Sequence, residues 1–176
     1  MREVRVVPPD PDWVDAFRRE AAQIANALGI QVHALHHIGS TAIHGIYAKP
    51  IIDILLLVED QDALDQRTSA MEALGYETMG EYGIPGRRYF RKLTEMGVHT
   101  HHVHAFLAGS KDAVRHLAFR DYMNAHADVS RAYSDLKLQL SRMHPYDMNA
   151  YMDGKDPFIK EHEALALAWW NNKGMT

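Results

Sequence analysis

No cysteine occurs in this chain. Disulfides and thiolate metal sites are therefore excluded, although that absence alone does not fix the compartment. A basic excess is also missing. The formal net charge is −4, whereas a general nucleic-acid binder needs a basic surface to release phosphate counterions. No apolar run approaches the ~20 residues of a membrane span, and the opening MREVRVVPPDPDW lacks the apolar core of a signal peptide. The expectation is a cytoplasmic protein without membrane contact or general nucleic-acid binding. Internal repeats, low-complexity tracts and linker-like stretches are absent too, so residues 1–176 are expected to form a single domain. No Ser-His-Asp or Cys-His nucleophile arrangement stands out.

What is present is an ordinary globular composition, 47% hydrophobic and 24% charged, with one informative stretch. His36 to Glu59 reads HHIGSTAIHGIYAKPIIDILLLVE: a strand, a Gly-Ser turn, a polar loop and an almost wholly apolar second strand. A continuous Ile/Leu/Val run suggests a central strand covered on both faces. One acid, Asp53, interrupts it. A carboxylate there is costly to bury unless a cation or donors meet it, so Asp53 is paired with a base, bound to a metal or facing a solvated cleft. Gly39, Ser40 and Thr41 offer backbone N–H groups and two hydroxyls to an anion.

Along the rest of the chain, Glu3 to Val7 reads as a short edge strand ended by Pro8 and Pro9. Asp12 reads as the N-cap of a helix with an apolar stripe of Trp13, Phe17, Ile24 and Leu28, which Gly29 terminates. Asp60 or Asp62 caps a further helix that Gly75 stops. Tyr76–Tyr82, Arg87–Leu93 and Val98–Leu107 read as strands, with turns at Gly83–Gly86 and Thr94–Gly97. From about Ser110 the pattern is helical: Asp112–His126, Val129–Met143 and Pro157–Trp170. Strands mixed with helices, then a helical C-terminal third, indicate an α/β (α+β) fold.

Twelve histidines is a high count, and several fall in VHTHHVHAFL. Strand period places His102 and His104 on one face, with His99 and His101 on the other. Asp53, His102 and His104 would make a two-His-one-carboxylate site, and neutral imidazoles suit Zn, Mn, Fe, Ni or Cu better than Mg. The bland reading is half-exposed strand histidines with ordinary hydrogen bonds. In RRYFRKL the strand period groups Arg88 with Phe90 and Lys92, and Arg87 with Tyr89 and Arg91, without saying which group faces a cleft. Arg120 reads either as an ion pair with Asp121 or as a phosphate clamp, and Lys137 and Lys155 carry the same pair of readings. Trp169 and Trp170 read as packing residues.

The string HIGSTAIHGIYAKPIIDI resembles the GrpB-like family, a branch of the nucleotidyltransferase superfamily. THHVHAF, RHLAFRDYMNAH, YSDLK and DGKDPFI extend the likeness in order over most of the chain. The resemblance implies a mixed sheet of nucleotidyltransferase type. It also implies a phosphorylated small molecule or nucleotide held at Gly39 and Ser40, and a divalent metal (Mg, Mn or Zn) at Asp53. Lys49 and Arg88 would neutralise charge, and His104 stands where the superfamily carries its third carboxylate. The chain departs from the superfamily at Leu55, where a second acid is usual, which weakens the case for two-metal catalysis. The expected function is nucleotide binding at a metal-assisted cleft with nucleotidyl transfer. The alternatives are a catalytically degenerate regulatory module and a His/Asp metal-dependent hydrolase.

Overall fold

The structure is a computed structural model and describes residues 2–174. Five strands, β1 (Val32–Ile38), β2 (Ile52–Val58), β3 (Tyr76–Thr78), β4 (Arg88–Leu93) and β5 (His99–Leu107), form one sheet in the order β1-β2-β5-β4-β3. Only the β2–β5 pairing is parallel, so the sheet is mixed. β2 and β5 lie inside it, which explains why Ile54, Leu55, Leu56 and Val58 are all fully buried.

The two sheet faces are covered differently. Helix α1 (Asp12–Leu28) and the short helices α2 (Gln61–Asp65) and α3 (Thr68–Ala73) cover one face. Trp13, Ile24 and Leu28 there pack with Ile52, Ile54, Leu56, Phe90 and Val103. Each such side chain contributes roughly 1.5–3 kcal/mol on burial. On the other face, α4 (Lys111–Ala125) covers the end of the sheet carrying Leu55, Leu57 and Phe106, which pack with Ala113. Helices α5 (Ala127–Met143) and α6 (Met148–Asn172) continue from it. The β1–β2 loop is tied to this helical group through Ile43 and Ile46, which pack with Tyr122, Met123 and Tyr133. The α5–α6 contact depends on Gly154, where an added Cβ would lie 2.5 Å from Leu140 Cδ2. The part of this face that α4 leaves uncovered becomes the cleft.

Several sequence-based expectations need correcting. Glu3–Val7 is not a strand: Val7 makes one bridge to Ala48, and Val4 packs beside Leu140 and Tyr151. The Pro8-Pro9 pair cuts the segment short and supplies no N–H to a ladder. Asp10, not Asp12, accepts from the first turn of α1, through Asp12 N at 2.9 Å. The helix after β2 is split at Gln66–Arg67. The strand expected over Tyr76–Tyr82 ends at Thr78 and gives way to a turn-rich loop. α6 starts at Met148 under an Asp147 cap and runs through Pro157. A proline interrupts a helix locally, and here packing against α4 and α5 holds the segment together.

Candidate functional site

The cleft opens where α5 and α6 face the exposed ends of β2, β4 and β5, and its volume is about 540 Å³. Asp53 stands at the start of β2, directly beside His102 in the parallel ladder. His104 follows two residues later on the same face. Asp53 Oδ1 lies 3.2 Å from His104 Nε2 and 3.5 Å from His102 Nδ1. Burial alone would raise the Asp53 carboxyl, but hydrogen bonds from the His102 and His104 imidazoles outweigh it and hold the acid well below its usual range. Donor atoms of all three residues lie within 4.8 Å of one another, close enough to converge on one ion.

Gly39 fixes the approach of the β1–β2 turn to this trio. Its φ is 73°, and a Cβ there would lie 2.5 Å from Asp53 Oδ2. Only glycine allows the turn to pass so near the carboxylate. Ser40 lines the cleft next to it. Thr41 does not: it is buried, 2.8 Å from His37 Nε2, and donates to the Ile51 carbonyl. Thr41 therefore shapes the turn from beneath.

Three lysines line the same cleft from different elements. Lys49 comes from the loop before β2, Lys137 from α5 and Lys155 from α6. Lys137 belongs to the buried face of α5 formed by Ser130, Tyr133, Ser134 and Leu140. It is 1% exposed, and its Nζ has no hydrogen-bond partner among the described residues. The amine lies 4.4 Å from the Tyr133 ring centre, and Lys155 lies 4.7 Å from that of Tyr151. Burial, followed by the charges of Lys155 and Lys49, pushes Lys137 down to about 6. Burial and Lys49 bring Lys155 to about 8, against a counter-pull from Asp53. Tyr133 is pushed up to about 12 by burial, opposed by a hydrogen bond with Ser40. Amines gathered without enough counter-charge, and able to take up a proton as an anion arrives, form a site for that anion.

The arginines divide differently from the expectation. Arg88 is held outside the cleft by a two-point pair with Asp65, at 2.7 and 3.0 Å, and so cannot serve a ligand there. Arg87 takes the cleft position. It donates to the carbonyls of Glu81 (3.1 Å) and Tyr82 (2.7 Å), and its Nη1 lies 3.4 Å from His104 Nδ1. A guanidinium only donates. His104 Nδ1 therefore accepts, and its ring proton sits on Nε2, facing Asp53. Arg120 is not a cleft residue either: it pairs with Asp121 at 2.7 Å and donates to the His37 carbonyl at 3.2 Å.

The strand histidines also depart from strict alternation. His101 faces the α1 side near Glu20, as its position requires. His99 instead turns to His102, with Nδ1 2.8 Å from His102 Nε2. The register irregularity between Lys92 and Leu93, opposite His99 and His101, brings His99 within reach of His102, and His99 lines a separate recess with Arg5, Val98 and Met148. Leu55 shares the Asp53 face but is fully buried among Ile38, Leu57, Phe106 and Ala113. The position of the usual second acid is thus part of the core under α4.

Sequence reasoning missed Arg87, Tyr82, Tyr89, Tyr133 and Tyr151 as cleft residues. The spacing of Tyr133, Lys137 and Leu140 was an available signal, since it sets a lysine within an apolar helical stripe. The choice of Arg87 over Arg88 needed the register.

Known proteins agree with this architecture. The chain aligns structurally with Cid1 poly(U) polymerase with bound MgGTP at a TM-score of 0.51, with 12% identity, over 76% of this chain and 43% of that one. Its fold is of nucleotidyltransferase type. Residues 3–164 match the family model described as GrpB protein, and the chain belongs to the GrpB family. The crystal structure of the conserved protein GrpB from Enterococcus faecalis superposes with a TM-score of 0.90 and 40% identity, covering 94% of this chain and 99% of that one. The UPF0157 protein YqkA of Bacillus subtilis is 42% identical over 168 residues, or 96% of this chain and 48% of YqkA. The chain thus spans about half of that relative. Among the described residues no helix is long and apolar enough to cross a membrane.

Proposed function

We propose that the cleft binds the phosphate chain of a nucleotide between its three lysines and a single divalent metal, and that its reaction is nucleotidyl transfer. The observation that carries this reading is the meeting of three lysines and a metal-donor trio in one cleft. Lys49, Lys137 and Lys155 line it, and Asp53, His102 and His104 lie in the same lining as a compact donor set. One carboxylate and two imidazoles fit a transition metal such as Mn or Zn better than Mg. Ligation by His104 Nε2 would displace the proton that now faces Asp53. A bound divalent ion would neutralise charge on the reacting phosphate. Ser40 and the backbone of Gly39 would hold non-bridging oxygens, and the lysines would stabilise charge developing on the leaving group.

In the transfer, an acceptor hydroxyl oxygen forms a bond to the α-phosphorus. The α–β anhydride bond breaks, pyrophosphate departs along the lysine wall and the hydroxyl proton passes to solvent. The protein contributes mainly position and charge, which is where phosphoryl chemistry gains its rate.

A second reading, binding without turnover, is favoured by Leu55, because its burial leaves one carboxylate where two-metal chemistry uses more. One experiment separates them. Metal content and nucleoside triphosphate affinity are measured for the wild type, Asp53→Asn and His104→Ala, together with turnover in Mn and Mg. Metal uptake lost in both variants, with turnover dependent on Asp53, supports transfer. Binding with no turnover supports the second reading. A folded wild type that takes up neither metal nor triphosphate refutes both.

A further inference from the structure

Tyr82 is the sole non-glycine residue with positive φ, at 47°, among the described residues. A bulky side chain in that region is an outlier, and such strain persists only where the surroundings enforce it. The enforcement is visible. The segment ends with Gly83 and Gly86, both at positive φ. Arg87 donates to the carbonyls of Glu81 and Tyr82, Ile84 N donates to the Glu81 carbonyl, and the Glu81 carboxylate accepts from Gly86 N. This rigid loop holds a large aromatic ring out at the cleft wall, where Tyr82 is 58% exposed.

One face of that ring is already occupied. Tyr82 stacks on Tyr89 with centroids 5.2 Å apart and planes 22° apart. Tyr89 in turn sits 5.4 Å from the His104 ring and 5.5 Å from His102. The aromatic series therefore runs from the cleft wall to the Asp53 trio, with the Arg87 guanidinium 4.9 Å from the Tyr89 ring. The exposed side of Tyr82 remains available to a further planar ring.

We infer that Tyr82 is a stacking platform for the aromatic base of the ligand, and so that the cleft selects a nucleotide over a phosphorylated molecule lacking a planar ring. The inference rests on the proposed reading of the cleft as a phosphate site. It adds a residue and the selectivity that residue confers: Tyr82 supplies affinity for the base while the lysines hold the phosphates. Stacking on an aromatic tolerates different bases because each has a π-face, so purine and pyrimidine nucleotides should both benefit.

The test compares adenosine triphosphate, uridine triphosphate and inorganic tripolyphosphate by calorimetry on the wild type, Tyr82→Phe and Tyr82→Gly. Glycine suits the backbone angle, so loss of the ring is examined without strain. Wild type should bind the nucleotides about tenfold more tightly than tripolyphosphate. Tyr82→Phe should keep that margin. Tyr82→Gly should abolish it and leave tripolyphosphate affinity within about twofold. Unchanged nucleotide binding in Tyr82→Gly would overturn the inference, as would equal weakening of all three ligands, the mark of a purely structural loop residue. Adenosine without phosphate keeps the two readings apart. Adenosine binding lost in Tyr82→Gly, with tripolyphosphate not binding the wild type, would refute the phosphate site and sustain the platform. Adenosine and nucleotide binding indifferent to Tyr82, with tripolyphosphate bound, would do the reverse.

Discussion

Binding of a phosphate chain should draw a proton onto Lys137. With its amine pushed down to about 6, Lys137 is roughly 3% protonated at pH 7.5, while Lys155, at about 8, is roughly 75% protonated. One anionic oxygen in contact with the amine is worth ~4 kcal/mol at an effective dielectric of 20, or about three pKa units. That lifts Lys137 to ~9 and saturates Lys155, so the two lysines together take up about 1.2 protons per ligand. The assay is calorimetric titration of tripolyphosphate in Tris and in HEPES, whose ionisation heats differ. Proton exchange by the ligand itself cancels when the wild type is compared with Lys137→Met, and the difference should be close to one proton. Equal uptake in both proteins would refute the reasoning. A stability effect of defined sign accompanies it. The unfolded amine titrates at 10.5 and the folded one at about 6, so the unfolded chain binds more protons between those values. Stability therefore rises with pH across that window, and the full cost is carried below it. At pH 7.5 the cost is on the order of 4 kcal/mol. Lys137→Met should raise the melting temperature and flatten its pH dependence above 6.

The other expected outcomes concern the trio and its surroundings. Gly39→Ala should retain the fold but displace the Asp53 carboxylate, lowering Mn or Zn uptake at least tenfold by metal analysis after dialysis, because the essentially glycine-only backbone there (φ 73°, ψ −173°) costs about 1–3 kcal/mol for alanine. Leu55→Asp should destabilise by about 3 kcal/mol or more in chemical denaturation and add no metal stoichiometry, since it buries a carboxylate among apolar side chains. Arg87→Ala should weaken tripolyphosphate binding by about fivefold to tenfold. Arg88→Ala should leave binding unchanged and cost under about 1 kcal/mol of stability, as expected for a partly exposed pair.

Much of the architecture was legible because the chain carries clear periodic signals. The apolar run Ile51 to Val58 pointed to an interior strand, with Asp53 near its start. Strand period also aligned His102 with His104, and β5 is indeed the neighbour of β2. Features set by tertiary pairing were not legible. The side of the sheet to which Arg87 or Arg88 belongs is decided by the antiparallel register of β4 on β5. The reach of His99 depends on a one-residue slip in that ladder. Leu55 lies on the Asp53 face, as alternation requires, yet α4 covers it, and no local pattern says where a later helix will end. Thr41 and Arg120 sit next to functional-looking residues in sequence, but their hydrogen-bonding groups find partners in the turn and in the end of β1.

The uneven make-up of β5 has a consequence for how firmly each half of the strand is held. From Val103 to Phe106 its apolar side chains are buried on both sheet faces, so opening that half exposes hydrocarbon to water. From His99 to His102 both faces carry imidazoles whose partners are polar, and water can replace those contacts at little net cost. The strand thus joins a tightly locked half to one that opens with less of the global unfolding energy. Amide protons of His99–His102 should exchange with solvent faster than those of Val103–Phe106, setting the ligand-facing end of β5 among the first parts of the sheet to breathe.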